Sequence, residues 1–158
     1  MNVLRYFMLL SLVVWLGAII YFGAVVAPAL FSVLPTHQLA GAVVARTLAV
    51  LHWIGIFSGI VFVACSMAYS RLSVGTAQPF APRHLLVYAM IALVIISQFV
   101  ISARMNTLRL EMGDIDRLPQ DDARRLEFNR LHGWSTGIEL TVLAFGLAVL
   151  YLTTRRFH

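Results

Sequence analysis

Glu139 lies inside an apolar stretch, Trp134 to Leu152, long enough to cross a bilayer. A charged group at membrane depth costs on the order of 2.5–3.5 kcal/mol on insertion scales, so such a residue faces the interior of a helix bundle and takes a partner there. A proton, Arg46, His52 or Arg104 would each serve. His132 stands seven residues before Glu139, which on a helix is the same face about 10 Å away, with Ser135 and Thr136 between. The last apolar stretch therefore carries a polar stripe into the membrane. Gathered at one membrane end, Arg46, His52, Arg104, His132 and Glu139 make a candidate site for an ion, a metal or a small solute.

His52 and His132 come from neighbouring stretches at similar depth. Two imidazoles across a bundle suit the axial positions of haem b, or help ligate a metal such as copper. Met105 and Met112, near the same end, are of the soft type that Cu(I) takes, although no dense methionine cluster accompanies them. The chain shows no Walker-type loop, dinucleotide fingerprint, CxxC or HExxH pattern, and no arrangement of serine and histidine as nucleophile and base. We expect no enzyme on these grounds. Cys65 is the single cysteine, which excludes an intrachain disulfide; within the second stretch it reads as a small core residue.

Four apolar stretches must position these groups: Tyr6 to Ala27, Thr47 to Tyr69, Leu85 to Ala103 and Trp134 to Leu152. Each has about 19 or more residues, the length that spans about 30 Å of hydrocarbon. With 60% apolar residues, 12% charged residues and a mean hydropathy of +0.84 over 158 residues, a soluble globular domain is excluded. The expected fold is all-α: one integral membrane four-helix bundle, with a polar, partly helical connector before the last span. The first stretch is too long for a signal-peptide core, and Pro28 stands where cleavage would fall, so we read it as a span that kinks or ends near Pro28.

Thr36 is placed to cap a helix starting near His37 and running to about Tyr69. Gly75, Pro79 and Pro82 mark the connector from Ser70 to His84 as a loop. On the second helix, His52, Gly55, Gly59, Phe62 and Ser66 form a stripe whose GxxxG pair permits close helix approach. Trp15, Trp53 and Trp134 read as packing residues or interfacial anchors. The connector from Met105 to Gly133 holds most of the charge, including Asp114, Asp116 and a spaced pair, Asp121 and Arg125. A helix is expected from about Pro119, continuing into the last span. Its charges make a solvated face, or a docking surface for a partner through Arg124 and Arg125.

The net charge of +5 does not point to nucleic acid, because the arginines flank spans and meet lipid headgroups. One membrane side holds Arg5, Arg71, Arg83, Arg155 and Arg156 without an acid; the other holds seven arginines interleaved with six acids. Arginines neutralised by neighbouring acids weigh less, and Arg5 precedes the first span. The expectation is both termini in the cytoplasm, in a bacterial cytoplasmic membrane, a source that the use of arginine with no lysine hints at.

The runs from Trp15 to Phe31 and from Phe128 to Ser135 resemble the transmembrane protein 205-like family, also classed as a domain of unknown function. That family is similar, more distantly, to the copper-resistance D-type membrane proteins. The resemblance covers essentially the whole chain, on Trp15, Gly17, Pro28, His132 and Ser135. It implies a four-helix membrane bundle of poorly defined role. Two further functions stand beside the ion, metal or solute site: an accessory subunit or homo-oligomer packing in a larger membrane complex, and a haem-binding membrane oxidoreductase.

Overall fold

The computed structural model describes residues 1–113 and 117–155, and every regular element among them is helical. Asp114, Asp116 and Arg156, counted above among the flanking charges, lie outside the described residues. Span one is α1 (Asn2–Tyr21), a π-helical turn (Phe22–Val26) and α2 (Ala27–Val33). Span two is α3 (His37–Val74). Span three is α4 (Pro82–Ile96), a second π-helical turn (Ser97–Ile101) and α5 (Ser102–Met112), and span four is α6 (Ala123–Thr154). Four apolar helices long enough to cross a membrane result, and only 28–33% of their most apolar windows is buried within the protein. The rest of that apolar surface fits contact with lipid. This is an integral membrane four-helix bundle.

The helices pack in a ring: span one on spans two and four, span three on spans two and four. Lipid is as apolar as leucine, so helices associate by close packing and polar contacts. Both are visible. The stripe on α3 faces inward as a unit, with His52, Gly55, Gly59, Phe62 and Ser66 all buried. The GxxxG pair receives the indole of Trp15. A Cβ on Gly59 would sit 2.9 Å from Trp15 Cζ3 and from Ile91 Cδ1, and one on Gly55 would collide with the indole nitrogen edge. Trp15 is thus a packing residue, whereas Trp53 and Trp134 are exposed in the manner of interfacial anchors.

The first span does not end at Pro28. Proline lacks an N–H and its ring crowds the preceding turn, which breaks an ordinary helix interior. Here the widened π turn, Phe22–Val26, comes immediately before it, and Pro28 falls in the first turn of α2, where an N–H is not needed. The second helix begins as expected, with Thr36 Oγ1 accepting from Leu39 N at 3.2 Å. It runs further than hydropathy indicates, to Val74, and stops at Gly75, whose φ of +81° is the left-handed C-cap conformation that glycine favours. The loop between spans two and three is therefore 75–81. Span four starts at Ala123, with Asp122 as its cap: Asp122 Oδ1 accepts from Arg124 N at 2.9 Å. Arg124 also donates to both Asp122 oxygens, which holds the Asp122 carboxyl down at about 2. The connector between spans three and four is shorter than the polar sequence suggests, because α5 extends the third span to Met112.

The membrane end opposite the candidate site has its own buried polar cluster. Arg83, only 4% exposed, donates to Ser66 Oγ at 2.7 Å and to Ser70 Oγ at 2.8 Å, and the His84 ring lies 2.7 Å from the same Ser66. These bonds tie the start of span three to the end of span two.

Candidate functional site

Glu139 meets His52 across the bundle. His52 is fully buried, with its Nε2 2.7 Å from Glu139 Oε1 and its Nδ1 2.7 Å from Gln98 Oε1. Helix α6, helix α3 and the second π turn thus contribute one residue each to a single chain, Glu139–His52–Gln98. The π turn matters locally. The extra residue in a π turn rotates the following side chains relative to an α-helix, and Gln98 lies in that turn. Its neighbour Ser97 is buried with no partner for its hydroxyl, and Glu139 Oε2 is likewise buried without a hydrogen bond. Buried polar atoms left unmatched are rare enough in proteins that each needs a reason.

Glu139 lines a cavity of about 860 Å3 at the membrane end where spans one and three finish and spans two and four begin. This is the end at which the sequence gathers His132 and Glu139, and His37 and Asn106 line the cavity with them. The walls are largely apolar, with Phe22, Phe31, Phe128, Leu48, Met105 and Leu143 among them. Ile20 and Leu140, 50% and 62% exposed, leave it open between spans one and four. The walls also carry Arg109, whose guanidinium carbon lies 5.6 Å from the Phe128 ring centre and whose Nη1 donates to Asn106 Oδ1 at 3.0 Å.

The expected residues divide. His52, Glu139 and His132 belong to the cavity or its floor. Arg104 does not reach Glu139: it forms a two-pronged pair with Glu127 at 2.8 and 3.0 Å, exposed on the polar end. Arg46 is exposed and outside the cavity lining. His52 and His132 do not share a ligand position, since both nitrogens of His52 face the oxygens of Gln98 and Glu139. Met105 and Met112 line the cavity, yet no group of three His, Cys, Asp or Glu side chains able to hold a metal occurs among the described residues. Arg124 is bound to Asp122, and Arg125 Nη1 donates to the Leu118 carbonyl at 2.7 Å, so both brace the connector.

A family model for a domain of unknown function, DUF4149, matches residues 10–114, about two thirds of the chain. The chain belongs to the DUF4149 family. No curated protein and no solved structure matches it. The DUF4149 match takes in the three spans that hold Trp15, His52, Gln98 and Arg109, and stops before the helix that supplies Glu139 and His132. Gln98 and Arg109 were not singled out from the sequence. Gln98 carried a signal, as the one carboxamide within an apolar stretch; Arg109 looked like another connector charge until α5 carried it along the cavity wall.

Proposed function

We propose that this small membrane protein binds a largely apolar molecule bearing one polar group, taken into the cavity with that group at Glu139. One observation carries the reading: an apolar cavity of about 860 Å3 is lined at its inner end by Glu139, whose Oε2 is buried and unmatched among the described residues, while His52, itself held by Gln98, keeps the other oxygen in place. Sites for small molecules are of this size and kind, with apolar walls and a few fixed polar groups. The opening beside Ile20 and Leu140 suits entry from the bilayer. The function is that of a binding or handling protein for a small amphipathic solute.

Metal, copper or haem handling draws nothing from the geometry, because His52 is already held on both sides. A kinship with the transmembrane protein 205-like and copper-resistance D-type proteins rests on the two sequence runs alone. The accessory-subunit reading finds Arg124 and Arg125 already engaged within the chain.

The test is to purify the protein in mild detergent and identify small molecules that stay with it by native mass spectrometry. A bound amphiphile is expected on the wild type and reduced in Ala45→Phe, which pushes a ring into the cavity from α3. Equal occupancy of both proteins, or none on either, overturns the reading.

A further inference from the structure

The floor of the cavity is a one-proton site. Gln98 Oε1 acts as acceptor, so His52 Nδ1 keeps a proton of its own. His52 Nε2 and Glu139 Oε1, 2.7 Å apart, share one more. With that shared proton on nitrogen the pair is imidazolium and carboxylate; with it on oxygen the pair is imidazole and carboxylic acid. Either way the pair is neutral, which is the inexpensive state at membrane depth. Removing the shared proton leaves one negative charge at the floor, and a low-dielectric setting favours its replacement by another positive charge.

We propose that the cavity takes a lipophilic organic cation in exchange for the proton shared by His52 and Glu139. The inference rests on the cavity being a binding site, as argued above. The exchange balances: one cation enters, one proton leaves to water at the polar end, the His52–Glu139 hydrogen bond it formed gives way to the contact with the cation, no other covalent bond changes, and the net charge of the floor stays at zero. Glu139 lines the cavity and is the carboxylate that meets the incoming charge, and its Oε2 is committed to no hydrogen bond among the described residues. Phe22, Phe31 and Phe128 supply ring faces that attract cations.

Other charged or titratable groups face the cavity from three of its four walls. Span two adds His37, span three Arg109 and span four His132, while span one contributes none to the lining. His37, at the start of α3, lies against the Phe31 ring of α2 at 6.0 Å, and Arg109 on α5 lies over Phe128 near the start of α6, all at the polar end. His37 and His132 are exposed and screened over about 8–10 Å in physiological salt, whereas Arg109 is half-buried and only partly screened, so its charge opposes the cation, which Arg109→Gln tests.

Tetraphenylphosphonium and tetraphenylborate, equal in shape and opposite in charge, form the test in detergent against an empty-micelle control. Titration calorimetry in two buffers of different ionisation enthalpy counts protons. Saturable binding of the phosphonium is expected, with about one proton released per cation and affinity rising about tenfold for each unit the pH is raised, wherever the pair holds its proton. Glu139→Gln weakens it by roughly ten- to a hundredfold, the range for losing a charged partner. The proton count comes from the wild type, so the test survives a variant that fails to fold. Phosphonium binding without proton release overturns the exchange. Preference for the borate, lost in Arg109→Gln, overturns the cation and leaves the cavity as a binding site. Binding of neither ion, while a native amphiphile is reduced in Ala45→Phe, does the same. Binding of neither, with no amphiphile found, overturns both.

Discussion

The pair at the floor of the cavity makes a quantitative prediction through a double-mutant cycle. His52→Leu removes a fully buried ring and leaves Glu139, whose side chain is 14% exposed, without a partner on either oxygen. Breaking a buried ion pair from one side costs about 3–5 kcal/mol, because an uncompensated charge stays behind. Glu139→Leu is milder. It leaves an uncharged imidazole that keeps Gln98 at 2.7 Å and loses one partner, a cost of about 1–3 kcal/mol. The double variant removes both members and orphans only Gln98, again about 1–3 kcal/mol. The coupling energy is therefore about 3–5 kcal/mol, and the order of the single variants is fixed: His52→Leu is the worse. Unfolding by sodium dodecyl sulfate in mixed micelles, followed by helical circular dichroism, measures all four proteins. Hydrogen bonds between membrane helices average about 0.6 kcal/mol and reach about 1.7 in such cycles. Coupling at or below that level, or Glu139→Leu as the more damaging change, refutes the picture of an anion held by His52.

Two further predictions concern the frame around the site. Gly55→Ala drives a methyl group into the Trp15 indole, so overpacking of about 1–3 kcal/mol exceeds the gain of about 1 kcal/mol in helix propensity, and the melting temperature falls; Gly17→Ala, with nothing within 4 Å, is unchanged or raised. A rise for Gly55→Ala in the same thermal scan argues against the close approach of spans one and two. At the start of α6, Asp122 has its carboxyl depressed to about 2 by Arg124 from an ordinary 3.8. A depressed acid stabilises the folded state above its ordinary value and loses that contribution as pH falls. Amide protection over the first turn of α6, taken relative to intrinsic exchange at each pH, should hold down to about pH 4 and fall between there and pH 2, and Asp122→Asn should remove the step.

The composition alone required a membrane bundle. Four apolar stretches of spanning length leave no other way to satisfy the backbone in lipid, and their alternation placed Arg46, His52, Arg104, His132 and Glu139 at one end. The inward stripe from His52 to Ser66 was legible too, because helical period and small residues both mark a packed face. Thr36 announced its helix, since a cap is a local event. Partner choice was not legible. Glu139 could have met Arg46, Arg104 or His52, all near one end, and only the ring order of the helices brought His52 to it and Glu127 to Arg104. The π turns were equally hidden: Pro28 signals a break, yet the widened turn before it absorbs the proline and carries the helix on to Val33, and the second such turn contains Gln98. Polar residues at given depths along each span follow from the order of amino acids. Which of them converge depends on the rotation of each helix about its axis and on its neighbours, which non-local packing alone decides.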